Sequence, residues 1–548
     1  MLCNKYPTHH CFIMRAGPSR ASLLTSSYPT EHGVKTTPGS LDPKSDLGIG
    51  VVAESNRQRP NLLRLLSTVG YDVAWKGKWH LSPPYPSSYN ASSLLKLYGA
   101  TSAWNPPDAG HSLSYSSTLG GGRKHNHDGR FMRGVKRRFD TPFKNDFDAG
   151  LGEVEASGKM IDPYISSDDD SDSARAEVEE EESILSFLSK HTISDRVKGG
   201  NDKTNLNDDQ DSSASSQPFF LIASLVNPHD VWAAGAFSNL TDDEFFRETG
   251  YRPQDFETLP IELPPNYSDN LSSKPLVQSL LREHPVFGNL SDGGDNAEHP
   301  QQSAALRYIR FYAHLHRIID AEIGSLLDTL VATKQMDNTI IVRMSDHGEL
   351  ALSHGLREKR MQCYEETMGI PLIINYPSGW FDEGTATSST TTRFVSSLVS
   401  SIDILPTIAD LAGVDCSRYY YRGKSLLPFL RNGENYSSVD NGKDEILFTF
   451  DEPLAPPGIP GFVRCIRTST YKYAVTFTID GQVMEYEMYD LEHDQNEMNN
   501  LCAPNVEPDE RWYNYHEQLT NLMKKMGATP TEFDWDKLSK PRKYSWTS

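Results

Sequence analysis

Five short segments carry residue types that handle anions. Arg15-Ala16-Gly17-Pro18-Ser19-Arg20 feeds a Gly-Pro turn into an apolar stretch. A helix starting there offers unpaired backbone N–H groups, and Arg20 can fork onto an oxyanion. Gly70 to Leu81 (GYDVAWKGKWHL) closes an extended run with Lys78 and His80 two apart, so both side chains leave on one side. His229 stands in Asn227-Pro228-His229-Asp230, Asp346 and His347 in Ser345-Asp346-His347-Gly348, and Lys359 in Leu356-Arg357-Glu358-Lys359-Arg360. Converging cations and a metal held by such groups would stabilise a transition state that spreads negative charge. Taken singly, each segment also has a plain structural reading. Lys78 and His80 read as surface cations at a strand end, His229 and the Asp346-His347 pair as capped turns, and Lys359 as a solvated lysine.

These residues need elements that present loops at strand ends. Phe219 to Val226, Thr339 to Met344 and Ile370 to Ile374 are short apolar runs, each stopped by turn residues. That pattern suits strands buried on both faces. Tyr308, Tyr312, Leu315, Ile319, Ile323, Leu326 and Leu330 recur at three and four, which predicts a long amphipathic helix between the first two runs. A second helix is expected over Ile402 to Leu411, entered through Ser400-Ser401 and closed at Gly413. The order predicts an α/β fold, with a large, mixed, mostly parallel central sheet between helices over residues 1–440. Polar residues just past the strand ends then fall where such sheets place their sites. From residue 441 to 548 the pattern becomes alternating strands, Glu445 to Phe450, Phe462 to Arg467, Tyr471 to Thr478 and Gln482 to Leu491, with Asp480-Gly481 as a hairpin turn. This predicts a small antiparallel C-terminal subdomain.

The chain has 548 residues, enough for a large core, and 53 basic against 74 acidic side chains give a net charge of -21. That balance argues against nucleic-acid binding, which rests on pairing phosphates with Lys and Arg. The acidity is uneven, because residues 162–216 hold 15 Asp/Glu against five Lys/Arg. Residues 166–216 read as an acidic, disordered insertion of two solvated loops around one short helix at the apolar stretch Ile184 to Leu188. Arg123 to Arg138, with seven Arg/Lys against one Asp, is a candidate track for a polyanion and otherwise a solvated loop. No run approaches the roughly 18–20 apolar residues of a membrane span. The six cysteines show no metal-type spacing and indicate no disulfide framework, which leaves room for one or two bridges. Sequons at Asn90, Asn239, Asn266, Asn270, Asn289 and Asn435 favour a secretory protein weakly, and the N-terminus has no apolar signal-peptide core.

Taken together in this order, the segments resemble the sulfatase family of the alkaline-phosphatase-like superfamily, from about Ala16 to Leu501. Ala16 to Arg20 resembles its Cys-X-Pro-Ser-Arg signature, and Gly70 to Leu81 its Gly-Tyr…Gly-Lys-Trp-His signature. Asn227 to Asp230, Ser345 to Gly348, Lys359 to Glu366, Ile402 to Thr407 and Met488 to Leu491 match its further landmarks. The resemblance implies sulfuric ester hydrolysis by a formylglycine made from the signature cysteine. It also implies a calcium ion held by carboxylates, sulfated small molecules or polysaccharides as substrates, and a secretory, lysosomal-type or extracellular location. By position, Arg20 would steady the nucleophile and the metal-site carboxylate. Lys78, His229 and Lys359 would clamp the sulfate, His80 would orient the formylglycine, and Asp346 and His347 would bind metal.

Two departures stand out. Ala16 occupies the position of the modified cysteine, and a methyl group is neither a nucleophile nor a substrate for the formylglycine-generating enzyme. The family's N-terminal strand ends in an Asp-Asp pair of metal ligands, whereas the 15 residues before Ala16 contain no Asp or Glu. One carboxylate and one imidazole make a poor calcium site, and the chain as written is expected to be inactive. Three accounts fit: a working sulfatase read from a displaced start or exon, a non-catalytic relative that binds sulfated ligands, or a deliberate alanine that traps substrate. Hydrolysis of a phosphomonoester, phosphodiester or phosphonate on the same scaffold is the alternative chemistry.

Overall fold

A computed structural model describes residues 9–10, 16–35, 51–52, 57–59, 61–79, 81, 91–102, 183–191, 217–233, 251–284, 290, 300–378, 380–381, 394–432, 443–453 and 455–535. Its strands, in chain order, are β1 (His9–His10), β2 (Val51–Val52), β3 (Arg57–Gln58), β4 (Asp72–Gly77), β5 (Phe219–Ser224), β6 (Ile341–Met344), β7 (Gly369–Ile370) and β8 (Leu372–Asn375). The last four are β9 (Glu445–Asp451), β10 (Phe462–Thr468), β11 (Tyr471–Phe477) and β12 (Met484–Asp490). β4 and β5 pair in parallel from Asp72 opposite Phe219 to Gly77 opposite Ser224, so both strands end at the same level. β4 is buried from Val73 to Gly77, as expected of a strand covered on both faces.

The run Ile370 to Ile374 departs from expectation. Pro371, which has no N–H to give a ladder, divides it into β7 and β8. β7 pairs antiparallel with β1, and β8 antiparallel with β6. β8 alternates between half-buried and exposed positions, with Ile373 54% exposed, and β5 and β6 are only half-buried along most of their length, so none of the three runs is buried throughout as expected.

The predicted long helix spans Pro300–Ala332. Near its N-terminal half, Tyr308, Phe311, Leu315 and Ile318 pack with Val231 and Phe256. At its far end Leu330 joins Ala74, Val226, Ile184, Phe187 and Leu188. The last three belong to the helix Ile184–Lys190, whose first turn is capped by Ser183 accepting from Ser186 N–H at 3.1 Å. The short helix expected inside the acidic segment is therefore present, but it is part of the core beside β4 and β5, not of a surface insertion. The acidic stretches around it, residues 166–182 and 192–216, lie outside the described residues.

The helix Ala16–Thr25 buries Ala21 and Leu24 against Leu62, Leu66, Trp75, Trp79 and Leu405. Leu405 lies on the helix Ile404–Leu411, which follows a 3-10 turn (Ser401–Asp403) closed by a reciprocal Ser400–Asp403 capping box. Gly413 leaves that helix at φ 72°, as the sequence predicts.

The C-terminal residues form a four-stranded antiparallel sheet in the order β12-β11-β10-β9. The helix Glu510–Met526 covers one face with Trp512, Leu519, Leu522 and Met523. On the opposite face Phe448, Phe450, Val463 and Cys465 meet Val277, Met361, Cys363 and Met368. Cys363, Cys416, Cys465 and Cys502 are buried free thiols. Asn266 is also buried and bonded to His354 and Glu366, so that sequon is not a glycan acceptor in the folded chain, whereas Asn270 is exposed.

Candidate active site

Arg20 is the point where four segments meet. Its Nε donates to Asp346 Oδ2 at 2.8 Å, and its Nη1 donates to the Lys78 carbonyl and to Ser224 Oγ, each at 2.7 Å. Ser224 Oγ in turn donates to the same Lys78 carbonyl at 2.7 Å. The neighbouring Ser19 Oγ donates to the Asp346 carbonyl. One turn of the helix Ala16–Thr25 thus ties together the ends of β4, β5 and β6. The Lys78 main-chain N–H, which donates to the Ser224 carbonyl at 2.8 Å, extends the β4–β5 ladder by one step and fixes where the lysine leaves it. Lys78 is 3% exposed, not a surface cation.

Asp346 and His347 leave the end of β6 in a tight turn held by Ser345 Oγ donating to the His347 carbonyl at 2.6 Å. Gly348 is required by space: a Cβ there would stand 2.1 Å from the Glu366 carbonyl oxygen. Its N–H donates to Thr367 O at 3.0 Å and seats the turn on the segment that follows Lys359. Burial works to raise the Asp346 carboxyl, but His347, Arg20 and Lys78 outweigh it and hold the acid well below its usual range. Burial pushes His347 down to about 4 against the pull of Asp346, with Lys359 and Lys78 helping, so the ring is neutral at pH 7. Its Nδ1 lies 2.9 Å from the Gly348 carbonyl and must donate there. Nε2 is left as a buried lone pair with no hydrogen-bond partner among the described residues, 3.8 Å from Asp346 Oδ1.

Lys359 joins the cluster from an excursion of the chain and carries a side chain only 12% exposed. Its Nζ lies 3.4 Å from Glu358 and 3.8 Å from Glu349. Burial opposes its charge, but those carboxylates hold its pKa above the ordinary lysine value, and Asp346 adds to the effect. Burial raises Glu349 to about 7 against the pull of Lys359.

The structure therefore groups Arg20, Lys78, Asp346, His347 and Lys359. Ala16 opens the helix that carries Arg20, and its methyl side chain is 6% exposed. His229 begins a 3-10 helix (His229–Ala233) just beyond the end of β5, half-buried, at the same end of the β4–β5 pair as Lys78. The adjoining turn is held by Tyr251, whose hydroxyl donates to Asp230 Oδ2 at 2.6 Å and accepts from Asn227 Nδ2 at 3.2 Å. His80 and the basic stretch Arg123 to Arg138 lie outside the described residues. Sequence reasoning passed over Ser224, Glu349 and Glu358. A serine closing an apolar strand and an acid directly after Ser-Asp-His-Gly were the available signals.

The donors at the cluster do not amount to a calcium site among the described residues. Asp346 already gives Oδ2 to Arg20, leaving one carboxylate oxygen and one imidazole nitrogen for an ion that takes six to eight oxygens. Among the described residues, the group of three donors close enough to share a metal is Asp490, Glu492 and His493, at the exposed end of β12.

Two family models match: Sulfatase over residues 14–414, and N-sulphoglucosamine sulphohydrolase, C-terminal, over residues 352–526. An N-acetylglucosamine-6-O-sulfatase of Bacteroides thetaiotaomicron is 26% identical over 498 residues, 90% of this chain and 75% of that protein. The chain spans about half the length of several other curated relatives, 49% to 55%. Among solved structures, a complex with the substrate D-glucosamine-2-N,6-O-disulfate aligns at TM-score 0.58 and 19% identity, over 96% of this chain and 91% of the other. A phosphonate monoester hydrolase from Silicibacter pomeroyi aligns at TM-score 0.55 and 19% identity, over 96% and 89%. Those likenesses establish the fold as alkaline-phosphatase-like. Members of the matched family are metal-dependent sulfuric ester hydrolases, and no helix among the described residues is long and apolar enough to cross a membrane. With the Sulfatase model covering residues 14–414, this chain belongs to the sulfatase family.

Proposed function

We propose that this site takes the sulfate group of a sulfated carbohydrate, of the glucosamine type, and that the chain with Ala16 holds such an ester without cleaving it. The observation that carries the reading is the buried grouping of Arg20, Lys78 and Lys359 around Asp346 and His347, at the helix start that bears Ala16. Lys78, His229 and Lys359 would meet the sulfate oxygens, with Arg20 fixing the Asp346 carboxylate. The N-acetylglucosamine-6-O-sulfatase relative supports a sulfated amino sugar as ligand. A sulfuric ester needs an oxygen nucleophile to expel its alcohol, and alanine supplies none. Calcium, the ion the family resemblance implies, would find too few donors at Asp346 and His347 to restore turnover.

The test is hydrolysis of 4-nitrophenyl sulfate with and without added calcium. The expected rate equals the blank in both, and turnover by the unmodified chain would contradict the account of position 16. The phosphonate hydrolase likeness supports a second reading, in which the same cations take a phosphate or phosphonate ester. Tighter binding of phenylphosphonate than of 4-nitrophenyl sulfate would favour it.

A further inference from the structure

Between His347 and Lys359 the chain makes an excursion whose backbone L-residues rarely adopt. Ala351, Leu352, His354 and Glu358 have φ of 45°, 72°, 56° and 70°, and none is glycine. Such a path persists only where its surroundings over-determine it. Part of the hold is packing. His354 stacks on Tyr364 with ring centroids 3.8 Å apart and meets Asp269 at 2.7 Å, while Arg357 lies over the Tyr308 ring. Main-chain bonds from Leu350 N–H to Glu358 O (3.2 Å) and from Leu352 N–H to Leu356 O (2.9 Å) close the loop on itself.

A further hold comes from one carboxylate. Glu349 Oε1 accepts from the Glu358 N–H at 2.6 Å and from the Ala351 N–H at 3.4 Å, so one oxygen fastens both the start and the end of the excursion. The other oxygen, Oε2, faces Lys359 Nζ at 3.8 Å. The Glu349 main chain is itself seated beside the site, its N–H donating to Glu366 O at 3.1 Å. We propose that Glu349 is the positioning residue for Lys359: it folds the excursion back and aims the ammonium at the Asp346–His347 turn. Glu358 Oε2 also faces that ammonium, at 3.4 Å. This inference rests on the oxyanion reading of the site for its ligand test, and its second test is independent of any ligand.

The ligand test is a double-mutant cycle read by titration with 4-nitrophenyl sulfate. Glu349→Gln keeps an oxygen to accept the two N–H groups and loses the charge facing Lys359. It should weaken binding about threefold to tenfold, and Glu349→Ala more than tenfold. In a Lys359→Ala background the Gln change should have no further effect, because Glu349 acts through that lysine. An equal loss in both backgrounds would overturn the proposal. The ligand-free test is the rate of Lys359 acetylation by acetic anhydride at fixed pH, read by peptide mass spectrometry. Acetylation should be several-fold faster in Glu349→Gln than in the parent, while lysines elsewhere keep their rates. An unchanged Lys359 rate would overturn the proposal. A faster Lys359 rate in a protein that binds no sulfate ester would uphold it and remove the oxyanion reading instead.

Discussion

At the scale of the residue, Arg20 explains why this cluster can stay charged while buried. Three donors of one rigid guanidinium plane serve Asp346, the Lys78 carbonyl and Ser224, a geometry that a lysine ammonium on a flexible stem does not reproduce. Removing it would leave Asp346 buried without its guanidinium partner at 2.8 Å. Arg20→Ala should therefore cost about 3–5 kcal/mol in urea unfolding, and Arg20→Lys a smaller but clear fraction of that. A change within about 0.5 kcal/mol for the alanine variant would show that Asp346 is paired mainly elsewhere. Most of the cluster was legible in the sequence, because Arg20, Lys78, Asp346, His347 and Lys359 sit in segments whose residue types demand explanation together. Ser224 was not. A lone serine in FFLIASLV carries no chemistry until Arg20, 204 positions away, is folded onto it. Lys359 was visible as a member of the set, yet the two acids that neutralise it were not.

At the scale of the element, the decisive features are places where one atom too many would break the fold. Gly348→Ala would drive a methyl into the Glu366 carbonyl and lift the Asp346–His347 turn off its seat. A loss of about 1–3 kcal/mol is expected by thermal or urea unfolding, the usual range for overpacking. A neutral result would mean the 366–367 segment yields freely. Strand positions were read well where pattern and punctuation agreed, as in β9 to β12 and the Ser400 cap. The reading was poorer where composition misled. Ile184 to Leu188 is surrounded by acids, and only the folded contact with Ala74, Val226 and Leu330 reveals it as core. Pro371 was visible in the sequence, but the antiparallel partner of β7 is His9–His10, at the other end of the chain.

A pH prediction belongs to the same scale. Burial raises the Glu485 carboxyl, which accepts from Leu276 N–H at the start of the helix Leu276–Glu283, to about 7 from an ordinary 4.5. The folded chain thus holds this proton more tightly than the unfolded chain. The stability it contributes is full below about 4.5 and is lost as pH rises through about 7. Glu485→Gln keeps an acceptor for Leu276 and removes the charge. It should be more stable than the parent by about 1–3 kcal/mol at pH 8 and equal to it near pH 4.5. The opposite ordering of the two pH values in urea unfolding would contradict the burial argument.

At the scale of the whole molecule, the C-terminal sheet backs the segment that carries Lys359. Met361, Cys363 and Met368 pack on β9, β10 and β11, and the fully buried Lys472 meets Glu365 at 3.0 Å and Glu497 at 2.5 Å. Burial opposes the Lys472 charge, but those two acids outweigh it and hold the ammonium above its usual range. We propose that residues 441–548 and the preceding unit unfold together across this seam. Lys472→Ala should cost about 3–5 kcal/mol, since it strands Glu497 in the interior, and should lower one common transition without splitting it in two. Two separate calorimetric transitions would refute that coupling. The seam was not legible in the sequence, where the change of pattern near residue 440 suggested only a boundary.

The central claim is that a sulfate-recognition cluster persists in a chain whose nucleophile position is Ala16. It is tested most directly by calorimetric titration with N-acetylglucosamine-6-sulfate, with free sulfate assayed in the same cell. The account predicts saturable binding, weakened about tenfold or more by Lys78→Ala, as expected for a charge-assisted contact, and no sulfate released over the blank. Released sulfate, or heat no different in the Lys78→Ala variant, would contradict it.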